Sequence, residues 1–143
     1  MRLHTTSEVI SLAKKLEGES AKLYRDLSLK YPKDKDILAL FAKENEGNIV
    51  QIERAYYGVI SDAIEGGFAF DMESDDYSIN TSLEKSAGYS ETLHKMISIE
   101  EKIIKFYSDA AGQSDTLMAD IPRAFRQVVK KREARLTKLK QLL

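Results

Sequence analysis

Apolar side chains recur at alternating steps of three and four residues along four long stretches of the chain, the spacing that lines one face of an α-helix. The first stretch runs from about Ser7 to Tyr31, with Ile10, Ala13, Glu17, Ser20, Tyr24 and Leu27 on its inward stripe. Thr5 and Glu8 have capping-box spacing at its start, and Pro32 stops it. The second, from about Asp34 to Asp62, places Leu38, Phe41, Asn45, Asn48, Ile52, Ala55 and Val59 on one side. A second capping-box pattern, Thr81 with Glu84, predicts the start of a third helix that ends near Gly112. Its stripe runs Leu83, Ser86, Ser90, Leu93, Ile97, Glu100, then Ile104, Tyr107 and Ala111. The fourth has Pro122 in its first turn and continues to the C-terminus through Ile121, Phe125, Val128, Arg132, Arg135, Leu139 and Leu142. No strand-like alternation competes, so the expected class is all-α, a four-helix bundle formed by residues 1–143 as one domain.

The connections are unequal. A few residues around Pro32 join the first pair of helices, and Gly112–Asp120 joins the second, so each pair should fold back as an antiparallel hairpin. Between the hairpins lies Glu65–Asn80, which when extended spans roughly 50 Å. That exceeds the roughly 39 Å length of a 26-residue helix, so the segment can cross the bundle and let helix three run parallel to helix two. A plain crossover is the simpler role for it, a lid over a site the more specific one, and its acidic run Asp71–Asp76 reads as solubilising. Gly66 and Gly67 are expected to end helix two. The hairpins also resemble repeats: Ala13–Ser28 lies over Met96–Ala111, matching Glu17 to Glu100 and Tyr24 to Tyr107.

Composition narrows the class. Twenty-two basic residues against 23 acidic ones leave a net charge of −1, unlike the surplus of clustered cations that nucleic acids select. The basic run Lys130–Lys140 is expected to be a solvated helix face with Arg132 and Arg135 turned inward. There is no cysteine, hence no disulfide, thiolate metal site or thiol nucleophile. Neither a signal-peptide apolar run nor an 18-residue apolar span occurs, which predicts a cytoplasmic protein without a membrane anchor. No phosphate-cradling glycine loop is present, and two distant histidines make no catalytic triad. His94 is expected to be half-buried in the bundle, and His4 terminal and exposed.

Six seam positions carry a charged or amide side chain: Glu17, Asn45, Asn48, Glu100, Arg132 and Arg135. Counted from the hairpin ends, Glu100 and Arg132 each lie 11 residues in, about 16 Å at 1.5 Å per residue. Glu17 and Asn48 each lie 14 residues in, so the six can share one mid-bundle layer. Buried charges survive only when paired and hydrogen-bonded, so a common layer predicts an internal network. Tyr24 and Tyr107 read as amphipathic core residues whose hydroxyls find partners in it.

A seam Glu on helices one and three, hairpin repeats and a long middle crossover make the chain resemble the ferritin-like di-iron carboxylate bundles. The segments LEGESAKLYRDLS and IEEKIIKFYSDAA resemble the rubrerythrin branch in particular. The resemblance spans nearly the whole chain and implies a ferritin-like four-helix bundle, two antiparallel hairpins joined by the crossover. It also implies a homo-oligomer, most simply a dimer, and iron ligands at positions matching Glu17 and Glu100. The family's Glu-x-x-His pairs on helices two and four are replaced here by Asn45 with Asn48 and by Arg132 with Arg135.

That departure alters the expected chemistry. Two carboxylates and two guanidiniums sum to zero without metal, whereas two divalent ions would raise the layer to a charge of +4. Guanidinium cannot deprotonate to relieve that charge, and its fork binds carboxylate through paired hydrogen bonds. The expectation is therefore a rubrerythrin-like bundle with no catalytic residue and no cofactor, its vestigial metal positions Glu17 and Glu100 bound by the arginines, serving as a structural or interaction module. Two alternatives remain: a di-iron oxidoreductase of peroxidase or oxidase type with other ligands, and a binder of an anion or small molecule in a mid-bundle cavity. Glu44, Glu46, Glu53 and Glu101 lie off the stripes and are expected to be solvated.

Overall fold

The computed structural model describes residues 1–59, 69–115, 117 and 119–143. Four long helices carry the architecture: α1 (Thr6–Lys30), α2 (Lys35–Val59), α3 (Tyr89–Gln113) and α4 (Asp120–Gln141). Among the described residues the structure is helical apart from a two-residue antiparallel pair. In it β1 (Arg2–Leu3) faces β2 (Met72–Glu73), with Arg2 opposite Glu73 and Leu3 opposite Met72.

Helix α1 starts where its capping box predicts. The Thr5 hydroxyl accepts from the Glu8 amide, and the Glu8 carboxylate accepts from the Thr5 amide. It stops ahead of Pro32, which opens a 3-10 turn at Pro32–Asp34. Side-chain contacts fix the helix directions. Lys14 meets Glu53, Ser20 meets Asn45 and Arg25 meets Glu46, so α1 and α2 are antiparallel. Arg132 meets Glu100 and Arg126 meets Asp115, so α3 and α4 are antiparallel too. Tyr24 meets Glu100 and Tyr107 meets Glu17, which sets α1 against α3 and makes α2 and α3 parallel.

The start of α3 differs from expectation. The Thr81 and Glu84 pattern is not a helix cap: the Asn80 side chain captures the Ser82 amide and hydroxyl, and a turn closes between Ala87 and Glu84. The helix begins only after Gly88, so Leu83 and Ser86 lie outside it, and Ser90 on its first turn is exposed. Met96, Ile99, Ile103, Phe106 and Ala110 fill the core beside the predicted stripe of α3, while Ile104 is half-buried.

The acidic run Asp71–Asp76 and its flanks are not merely solubilising. Phe70, Met72 and Tyr77 are buried against the bundle, and the Tyr77 hydroxyl donates to Asp109 on α3 at 2.7 Å. The glycines expected to end helix two, with residues 60–64 and the start of the crossover, lie outside the described residues. His4 is half-buried, its Nδ1 3.4 Å from the Phe70 carbonyl, rather than exposed. His94 is exposed rather than half-buried, its Nδ1 2.8 Å from the Ser90 carbonyl. Among the described residues no helix is long and apolar enough to cross a membrane.

Candidate functional site

Each helix sends polar groups into one level of the core. The three- and four-residue steps that bury Leu16, Phe41, Ile103 and Val128 also bury Glu17, Asn45, Asn48, Glu100, Arg132 and Arg135, all at most 1% exposed. Tyr24 from α1 and Tyr107 from α3 complete the set, both fully buried. The structure therefore brings all eight residues into one hydrogen-bonded cluster.

Arg132 sits between the two carboxylates. Its Nε and Nη2 donate to Glu17 at 3.2 and 2.7 Å, a paired contact that uses both sides of the guanidinium fork. Its Nη1 donates to both oxygens of Glu100 at 2.9 and 2.8 Å, and Nη2 also reaches Asn45 Oδ1 at 3.2 Å. Every guanidinium nitrogen is thus satisfied.

Arg135 closes the other side. Its Nη1 donates to Asn45 Oδ1 at 2.8 Å and to Glu100 Oε1 at 3.1 Å, while Nη2 donates to the Phe41 carbonyl at 3.0 Å. The guanidinium lies over the Phe41 and Tyr24 rings at 4.8 and 5.0 Å, a cation–π arrangement. Its Nε has no hydrogen-bond partner among the described residues. Glu44, expected to be solvated, is half-buried with a carboxylate oxygen 3.8 Å from Arg135.

The amides and phenols finish the network. Asn45 donates to Ser20 Oγ at 3.0 Å, leaving its Oδ1 as acceptor for both arginines. Asn48 donates to Glu17 at 3.4 Å and accepts from Lys131 at 3.4 Å, which links the layer to the surface. The Tyr24 hydroxyl donates to Glu100 at 2.7 Å, and the Tyr107 hydroxyl donates to Glu17 at 2.8 Å. Ser20 and the Phe41 carbonyl are members that spacing alone does not single out. Ser20 is nonetheless a polar residue on the inward stripe of α1, between Glu17 and Tyr24.

The electrostatics follow from burial opposed by charge. Burial alone would raise the Glu100 pKa, but Arg132, Arg135 and the Tyr24 hydrogen bond hold it below the ordinary carboxylate value. Burial likewise disfavours charge on Arg132, yet Glu100 and Glu17 outweigh it and raise its pKa further. Burial, with Glu100 beside Tyr24 and Glu17 beside Tyr107, pushes both phenols well above their ordinary value. Both tyrosines are therefore neutral donors to anionic acceptors. Among the described residues no group of three or more His, Asp or Glu side chains converges so as to hold a metal ion. No protein-family model matches the chain, and neither a curated protein nor a solved structure matches it.

Proposed function

We propose that the protein is a rubrerythrin-like, ferritin-like bundle whose di-iron layer has become a metal-free ion-pair network, and that it acts as a non-catalytic structural or interaction module. The observation that carries this reading is the position of Arg132, bound to both Glu17 and Glu100, the two carboxylates that correspond to metal ligands in the resemblance. The parallel run of α2 and α3 supports the same fold, because it requires a crossover between the hairpins. The donor set does not fit a di-iron centre. Both carboxylates already accept hydrogen bonds from guanidinium and phenol groups, and the amides at Asn45 and Asn48 carry no charge to offset metal. A cation placed there would meet two permanent guanidinium charges in a low-dielectric layer.

By the same resemblance the protein is a homodimer, and its near-neutral charge and lack of a long apolar run favour a cytoplasmic protein that uses neither nucleic acid nor membrane as a partner. Metal analysis after aerobic expression in iron-supplemented medium tests the central claim. Background iron is expected. Two irons per chain with a ferric–oxo absorption band would overturn the proposal and favour a di-iron oxidoreductase.

A further inference from the structure

Where α3 hands over to α4 the surface is hollow. A cleft of about 520 Å³ opens there, within the size range of small-molecule sites. One wall is apolar, formed by Leu117, Ala119 and Pro122. The other carries Arg123, Arg126 and Lys130 on the outer face of α4, against, among the described residues, the single carboxylate of Asp115. A neighbouring cleft of about 390 Å³ shares Arg126 and Lys130 and continues over Ala111, Gly112 and Val129. Arg126 and Lys130 thus stand on the rim between two hollows. In a chain of net charge −1, this surplus of cations is local.

The two rim cations are available. Among the described residues the Lys130 side chain makes no ion pair and no hydrogen bond. Arg126 pairs with Asp115 at 2.6 Å, but both side chains are more than half exposed, and exposed pairs of this kind exchange readily for another anion. The residues lie four apart, so their side chains share one helix face about 6 Å apart along the axis. Acidic residues bound the basic stripe: Asp120 pairs with Arg123 at one end, and Glu133 follows Lys130 at the other. A long polyanion would run onto those carboxylates, whereas a short anion fits between them.

We infer that this cleft binds a small organic dianion of the phosphate monoester class, with its head group on Arg126 and Lys130 and its apolar body against Leu117, Ala119 and Pro122. A planar guanidinium fork beside a mobile ammonium suits a doubly charged tetrahedral head group. The apolar wall selects for a substituent on the phosphate rather than for the bare ion.

Amide chemical shifts of the isotope-labelled full chain, followed during addition of phenyl phosphate, inorganic phosphate or phenol, provide the test. Phenyl phosphate should saturate shifts confined to Asp115, Leu117, Ala119, their immediate neighbours and the first three turns of α4, binding about tenfold more tightly than inorganic phosphate or phenol. Arg126→Ala and Lys130→Ala should each weaken binding about tenfold, Asp115→Asn should strengthen it, and Lys138→Ala should leave it unchanged. All four side chains are exposed, and unchanged thermal melts would show that the variants fold; Lys130→Gln repeats the test with the helix propensity retained. Equal affinity for inorganic and phenyl phosphate would mark an adventitious anion only. That result, absence of saturation, or indifference to both rim substitutions would overturn the inference.

Discussion

The two hairpins contribute matching residues on their first helices and different ones on their second. Glu17 and Tyr24 on α1 correspond to Glu100 and Tyr107 on α3, and each tyrosine donates to the carboxylate of the opposite hairpin. On α2 the layer receives Asn45 and Asn48, two neutral amides; on α4 it receives Arg132 and Arg135. The hydrogen bonding is therefore reciprocal, whereas both buried cations come from one helix. Asn45 shows how the unlike partners cooperate, since its oxygen accepts from both guanidiniums while its nitrogen anchors to Ser20. Charge balance in the core consequently depends on α4 alone.

The largest test of that one-sidedness is Arg132→Ala. It leaves two buried carboxylates with a single remaining guanidinium, and should lower unfolding free energy by about 3–5 kcal/mol in chemical denaturation. A loss below about 1 kcal/mol would mean the layer is hydrated and the asymmetry unimportant. The reciprocal half of the comparison predicts equality: Tyr24→Phe and Tyr107→Phe should each cost about 1.5–3 kcal/mol, the range for hydrogen bonds to charged groups. Clearly unequal losses would show that the two clasps are not equivalent.

Acid probes the carboxylates directly. Because Glu100 titrates below its ordinary value of 4.5 when folded, its stabilising contribution is present above that pH and is lost as pH falls through the lowered folded value. Denaturation midpoints measured from pH 7 to pH 3 should decline in that window, and Glu100→Gln should flatten the decline. Identical slopes in the two proteins would assign the acid sensitivity elsewhere. The smallest effect belongs to the exposed pair Arg25 with Glu46, whose coupling in a double-mutant cycle should stay below about 1 kcal/mol.

The layer was legible in the sequence because helical spacing converts position into direction. Glu17, Asn45, Asn48, Glu100, Arg132 and Arg135 occupy places where that spacing calls for an apolar residue, and a constant rise per residue places them at similar heights. Which oxygen meets which nitrogen was not legible, since it depends on rotamers chosen by all four helices together. The start of α3 escaped for a different reason. Thr81 and Glu84 carry the residue types of a cap, but the Asn80 side chain takes the Ser82 amide first, and this local competition outweighs the pattern. The β1–β2 pair is two residues long, too short for any periodicity to reveal, and Phe70, Met72 and Tyr77 find their burial only through contacts distant in the chain.

The unlike second helices also decide how the chain can assemble. Two copies of the α1–α2 hairpin packed together would bury two carboxylates among amides with no cation between them. Two copies of the α3–α4 hairpin would bury four guanidiniums against two carboxylates. Only the unlike combination is neutral, so like-with-like pairing of hairpins from different chains is disfavoured, whereas reciprocal exchange of a hairpin between two chains preserves every charge pair.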